Sequence, residues 1–241
     1  MKIRKYMIVC GVLTAFVAGG PANAAPNISQ FTSSPIKTLQ LNVNVVQDNQ
    51  DQLAKIGGDF GTTYRFRKLA FSYEQPGKLH YEALIMGARV DYTISGNSKF
   101  ISIPGAHIHK VENIAGQPGK KQTLLDSGLI PPELLNEYNV TFLRHDGKQL
   151  VYQIQSKIPS ETAKEIVWID PVTHVTTRRM HFNRAGKLES WFTYTQPVEI
   201  APHIYVPTKV DVYNSSNELA AVTSYTDIRV NRYLSPSLFT F

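Results

Sequence analysis

A run of period-two alternation between Tyr64 and Ile103 constrains this chain more than any other feature. Leu79, Tyr81, Ala83 and Ile85 alternate with His80 and Glu82, and Val90, Tyr92 and Ile94 with Asp91, Thr93 and Ser95. Side chains of an extended strand point alternately to its two faces, so this pattern builds a sheet that is apolar on one side and largely polar on the other. Gln75-Pro76-Gly77, Gly87 and Ser95-Gly96-Asn97 punctuate the runs as the turns of an antiparallel meander.

The pattern recurs along the chain. Leu39, Leu41, Val43 and Val45 mark a first strand. Asp146-Gly147, a strong hairpin signal, joins a strand at 140–144 to the alternating run Leu150, Tyr152, Ile154, Ser156 and Ile158. Further strands are expected at 166–170, around Met180 and Phe182, at 188–194, 203–213 and 219–230, with a strand or loop near Ile108. The total is about eleven or twelve in hairpin succession, and a sheet that wide must curl or split. No shift in composition marks a boundary, so the expectation is a mainly β chain with one large curved antiparallel sheet.

Other segments read less regularly. Tyr64 and Phe66 fall on even positions but Leu69, Phe71 and Tyr73 on odd ones. This parity switch predicts a β-bulge near Arg67-Lys68 within a strand over 62–73, a device that bends sheets. Residues 47–61 read as a polar loop and 25–36 as a flexible tether. The best helical segment is 124–138: Pro131 and Pro132 suit a helix start, Glu133 suits its positive end, and Leu134, Leu135 and Tyr138 make an apolar stripe.

Lys2, Arg4 and Lys5, the apolar run 6–19 and Ala22-Asn23-Ala24 have the form of a cleavable signal peptide over residues 1–24, leaving 25–241 as a single domain. Cys10, the one cysteine, would leave with it, so a hydrophobic core rather than disulfides must hold the fold. The net charge of +6 loses three units with the leader. A mild, dispersed excess gives no footprint for nucleic acid, and none is expected as a partner.

Chemistry is sparsely signalled. His107 and His109 are spaced to share a strand face, but no third metal ligand lies near, and a solvated strand is the plainer account. His80, His145, His174, His181 and His203 are scattered. No nucleophile elbow occurs, and sequence cannot bring Glu74 to Glu82 or Asp91 to Asp170 as an acid–base pair. Gly57-Gly58 lacks the context of a phosphate loop. No catalytic residue, metal or cofactor is predicted, and the chain is read as a non-enzyme.

Several phrases nevertheless carry a likeness. Gln75-Pro76-Gly77-Lys78-Leu79-His80-Tyr81 is followed by Ile94-Ser95-Gly96-Asn97-Ser98-Lys99-Phe100-Ile101 and Pro104, and later by Val167-Trp168-Ile169-Asp170-Pro171-Val172-Thr173 and Asn183-Arg184-Ala185-Gly186-Lys187-Leu188. These resemble the LolA-like superfamily, which includes the lipoprotein carrier LolA, the receptor LolB and the sigma-regulator RseB. The resemblance implies an unclosed half-barrel of about eleven strands with one or two short covering helices, consistent with the rules for barrel closure. It also implies an apolar ligand inside and a periplasmic or otherwise secreted location. Inner-face parity then nominates Phe71, Tyr81, Ile94, Ile154, Met180, Phe192 and Val212 as apolar lining, and Leu134, Leu135 and Tyr138 as a lid. The expected partners are lipid or lipoprotein acyl chains and a membrane-bound donor or acceptor protein. An RseB-like sensor or partner-binding module is the alternative.

Overall fold

The computed structural model describes residues 25–57, 60–85, 87–117 and 120–240; the expected signal peptide lies outside them. Thirteen strands pair antiparallel in one sheet with the order β6-β5-β4-β3-β2-β1-β13-β12-β11-β10-β9-β8-β7. The strands are β1 (Thr38–Asp48), β2 (Lys68–Glu74), β3 (Lys78–Ile85), β4 (Ala88–Ser95), β5 (Ser98–Ile103), β6 (Ile108–Asn113), β7 (Tyr138–Asp146), β8 (Gln149–Ser156), β9 (Lys164–Ile169), β10 (Thr176–Phe182), β11 (Leu188–Ala201), β12 (Ile204–Asn214) and β13 (Leu219–Val230). Two meanders, β1–β6 and β7–β13, are thus joined by the first strand lying against the last. β6 and β7 end the order unpaired with each other, so the sheet does not close into a barrel.

The count exceeds the expected eleven or twelve because β6 is a strand. Its residues are almost all exposed, as befits an edge strand, so no period-two pattern marked it. The Arg67-Lys68 bulge is corrected. β2 begins at Lys68, and Phe60–Thr63 is a short helix, α2, so the parity switch marks the end of one element and the start of another. Register shifts lie instead in other ladders, among them two in β1–β13, between Gln40 and Asn42 and between Val45 and Gln47, and one in β7–β8, between Phe142 and Arg144.

The polar 47–61 stretch holds a further short helix, α1 (Gln50–Ala54), whose start is capped by the Asn49 side chain accepting from the Asp51 and Gln52 amides. Segment 25–36 is no tether: a 3-10 turn, Ile28–Phe31, buries Ile28 and Phe31, and Ile36 is buried as well. The expected helix over 124–138 is split. A 3-10 turn at Leu124–Ser127 closes with Gly128 in the left-handed region, α3 covers only Leu134–Glu137, and Tyr138 already opens β7.

Between the edge strands β6 and β7 a crossing segment, residues 120–137, packs over one face of the sheet. There it buries Leu124, Leu125, Leu129, Ile130 and Leu134. It packs on two apolar clusters: one built on β1–β4 and β11–β13, the other on β8 and β9.

Candidate functional site

Residues from strands as far apart in the sheet order as β5 and β10 line one cavity of about 490 Å³, so the sheet curls around it. Val43 and Val45 of β1, Leu69 and Phe71 of β2, Tyr81 and Ala83 of β3 and Val90 and Tyr92 of β4 make one wall. Ile101 and Ile103 extend it along β5, and Phe192, Val210 and Tyr225 face them from the other meander. These positions share a face because the register pairs Val43 with Leu69 and Tyr225, Phe71 with Tyr81, and Tyr81 with Tyr92. α2 contributes Phe60 and Thr63 to the lining, and the Phe60 ring lies 5.5 Å from that of Tyr64 and 6.3 Å from that of Phe192.

The only charged groups lining this cavity among the described residues are Arg179 and Asp126. Arg179 Nη1 donates to Asp126 Oδ1 at 2.5 Å, and its Nε donates to Glu165 Oε2 at 3.0 Å. Its guanidinium lies 5.0 Å from the centre of the Phe192 ring. Burial works against that charge, but the carboxylates of Glu165 and Asp126 outweigh it and hold Arg179 firmly protonated. Burial likewise opposes ionisation of Glu165, and the Arg179 charge and the His181 hydrogen bond overcome it, so its carboxyl titrates below the usual range. Desolvation pushes the phenols of Tyr64, Tyr81, Tyr194 and Tyr225 well above their ordinary value, keeping them neutral donors.

Asp126 belongs to the crossing segment, so the pair ties that segment to the sheet. Asp126 also completes a capping box, accepting from the Thr123 amide at 3.0 Å. Other ties are the Thr176 amide to the Gly128 carbonyl at 2.9 Å and the Ser33 amide to the Ile130 carbonyl at 2.7 Å. A second cavity of about 260 Å³ lies beyond, lined by Ile154, Leu134, Tyr138, Glu165 and His181. It shares Phe60, Gln122, Asp126 and Arg179 with the first.

The structure brings Phe71, Tyr81 and Phe192 together in the larger cavity and places Ile154 in the smaller. Ile94 and Val212 are on the same face but fully enclosed in the packed core. Met180 is on the opposite face: it pairs with Trp191, whereas its neighbour Arg179 pairs with Phe192. Reading β10 with Met180 and Phe182 inward favoured the apolar parity and concealed Arg179 and His181. Of the lid residues, Leu134 is buried against β8 and β9 and Leu135 packs there partly exposed, while Tyr138 belongs to β7.

The scattered ionisable residues are also sorted. His107 precedes β6 in a left-handed conformation, so it does not share a strand with His109. Glu74 pairs with Lys78, and Asp170 accepts from the turn amides of Val172 and Thr173. Glu82 and Asp91, in contrast, are cross-strand partners, and His80 joins them on the face away from the cavity.

No family model and no curated protein matches the sequence. Solved structures share the fold. A LolA superfamily protein from Nitrosomonas europaea superposes with a TM-score of 0.59 at 14% identity, over 89% of this chain and 94% of the other. A DUF1329 family protein from Desulfovibrio piger gives 0.55 at 14% identity, over 88% and 92%. An outer membrane lipoprotein-sorting protein domain from Vibrio parahaemolyticus gives 0.52 at 12% identity, over 88% and 92%. The chain therefore has the LolA-like fold that its turn motifs implied.

Proposed function

We propose that this chain with a LolA-like fold is an exported binding protein that holds an apolar ligand, an acyl chain of a lipid or lipoprotein, inside its curled sheet. One observation carries the reading: a cavity of about 490 Å³ walled by aromatic and branched aliphatic side chains, with the Arg179–Asp126 ion pair at its side. Ligand pockets run from about 300 to 1,000 Å³ and combine apolar walls with a few polar groups that orient the occupant. Removing apolar area from water drives such binding at about 25 cal/mol per Å². Phe71, Tyr81 and Phe192 supply the apolar contact, and Gln122 and the Arg179–Asp126 pair provide polar groups for a headgroup or carbonyl. Leu134 and Leu135 lie in the segment that serves as lid. Residues 1–24 act as the signal peptide, which places the mature chain in the periplasm or outside the cell. There a membrane-bound protein donates or accepts the ligand, and the role is transport of envelope lipid or lipoprotein rather than catalysis.

The test is lipid extraction and mass spectrometry of protein purified from its native envelope, paired with displacement of a fluorescent fatty acid in solution. A stoichiometric lipid and competitive displacement are expected, with displacement weakened in Phe192→Asp. An empty protein that binds no probe overturns the reading.

A further inference from the structure

We infer that His80, Glu82 and Asp91 form a binding site for a divalent transition-metal ion of the zinc class, on the sheet face opposite the cavity. His80 and Glu82 are two apart on β3, so they share a face. The register sets Asp91 of β4 directly across from Glu82 and Thr93 across from His80. One ligand atom from each of the three residues lies within 4.8 Å of the others. Small rotations of the Glu82 and Asp91 carboxylates bring such atoms to the separations of a metal's first shell.

The second observation is the state of the histidine. His80 is 6% exposed, yet its Nε2 is buried with no hydrogen-bond partner. Nε2 faces Asp91 Oδ1 at 3.6 Å, too long for a hydrogen bond. On the other side of the ring, Nδ1 lies 2.9 Å from Thr93 Oγ1. With Nδ1 as donor, the ring is fixed and Nε2 turns its lone pair toward Asp91, the cross-strand partner of Glu82. This is how a metal-binding histidine is normally held: the far ring nitrogen donates to an oxygen and sets the tautomer. In that tautomer the buried Nε2 lone pair faces Asp91 without a partner, an unfavourable contact that a metal ion between them relieves. Imidazole with carboxylates suits zinc and its neighbours rather than calcium, which takes oxygen ligands alone.

Arg89 now neutralises the carboxylates, with Nε donating to both Asp91 oxygens at 2.9 Å and Nη2 lying 3.1 Å from Glu82. Its side chain is half exposed and reaches the pair from solvent, so an incoming ion displaces it without disturbing the core. Arginine and metal thus compete for the same two carboxylates, and the site's affinity is set by that competition. Three protein ligands leave a position for water or a donor from another molecule.

Calorimetric titration of the purified chain with zinc chloride alone tests this, alongside the visible absorption of the cobalt form. One ion per chain is expected. His80→Gln and Asp91→Asn should each weaken binding at least about 100-fold, and Thr93→Val about 10–100-fold, the range for loss of an outer partner. Arg89→Gln should tighten binding by about tenfold or more, a gain that misfolding cannot mimic. A His107→Ala/His109→Ala double variant should bind as the parent does. Absence of binding in both the parent and Arg89→Gln, or binding lost with His107 and His109 but kept without His80, overturns the site.

Discussion

Two residues concentrate the consequences of packing. Gly128 ends the Leu124–Ser127 turn at φ +80°, and a Cβ there would lie 2.7 Å from Tyr194 Cδ1 and 2.9 Å from its Cγ. The aromatic ring is held in the core and cannot retreat. Gly128→Ala combines left-handed strain with overpacking and should cost about 2–4 kcal/mol, read as a lower urea midpoint at unchanged slope. Arg179 sits at the junction of the two cavities with its side chain 12% exposed. Removing Arg179 leaves the Glu165 carboxylate, 16% exposed, without its guanidinium, and a fully buried pair broken this way costs about 3–5 kcal/mol, an upper bound here. Arg179→Met should therefore destabilise strongly, and Arg179→Met combined with Glu165→Gln should recover part of the loss in a double-mutant cycle. Additive losses would show that the pair does not act as a unit. The lone Arg179 carried no signal in the sequence, because Thr-Thr-Arg-Arg-Met-His-Phe admits either parity and only its pairing to Phe192 decides between them.

At the scale of elements, the crossing segment decides what the sheet encloses. Its 3-10 turn has a complete capping box and its glycine stop, both readable in Thr123-Leu124-Leu125-Asp126 and Gly128 once the turn is known. α3 is a single turn, too short to be stable alone, and is held by Leu134 on the β8–β9 cluster. If this segment is the lid, a charge at its partly exposed apolar edge weakens closure. Leu135→Asp should lower fatty-acid affinity in displacement assays by about tenfold, together with a lower thermal midpoint, since Leu135 packs partly buried on the β8–β9 cluster. Affinity equal to the parent would remove the lid role. α1 and α2 were missed because elements of four or five residues carry no measurable helical period.

For the whole molecule, stability should depend on pH through the network behind Arg179. The hydrogen bond from His181 Nδ1 to Glu165, 2.8 Å long, raises the His181 pKa above 6.5; burial opposes this less strongly. A folded pKa above the unfolded value means stabilisation that is complete below pH 6.5 and is lost as pH rises through the folded value. Parent and His181→Gln should therefore differ most in urea midpoint on the acidic side and converge on the alkaline side. A gap that widens with rising pH would reverse the assignment. One sheet order of thirteen strands also joins the first strand to the last, β1 to β13, so global unfolding should be cooperative across both meanders.

Alternation in single strands, turn residues between them and the Asp-Gly hairpin were enough to specify a wide antiparallel sheet with one apolar face, because those signals are local and each strand repeats them. Phe71, Tyr81 and Phe192 were legible as inward residues for the same reason. The closing of β1 against β13, the passage of the 120–137 segment over the sheet, and the separation of enclosed residues such as Ile94 and Val212 from cavity walls were decided only by tertiary structure. So was the meeting of His80 with Glu82 and Asp91, and of Arg179 with Asp126. Such contacts depend on register and on long-range pairing, and a one-residue change in either reverses which side chains face one another while leaving the local pattern the same.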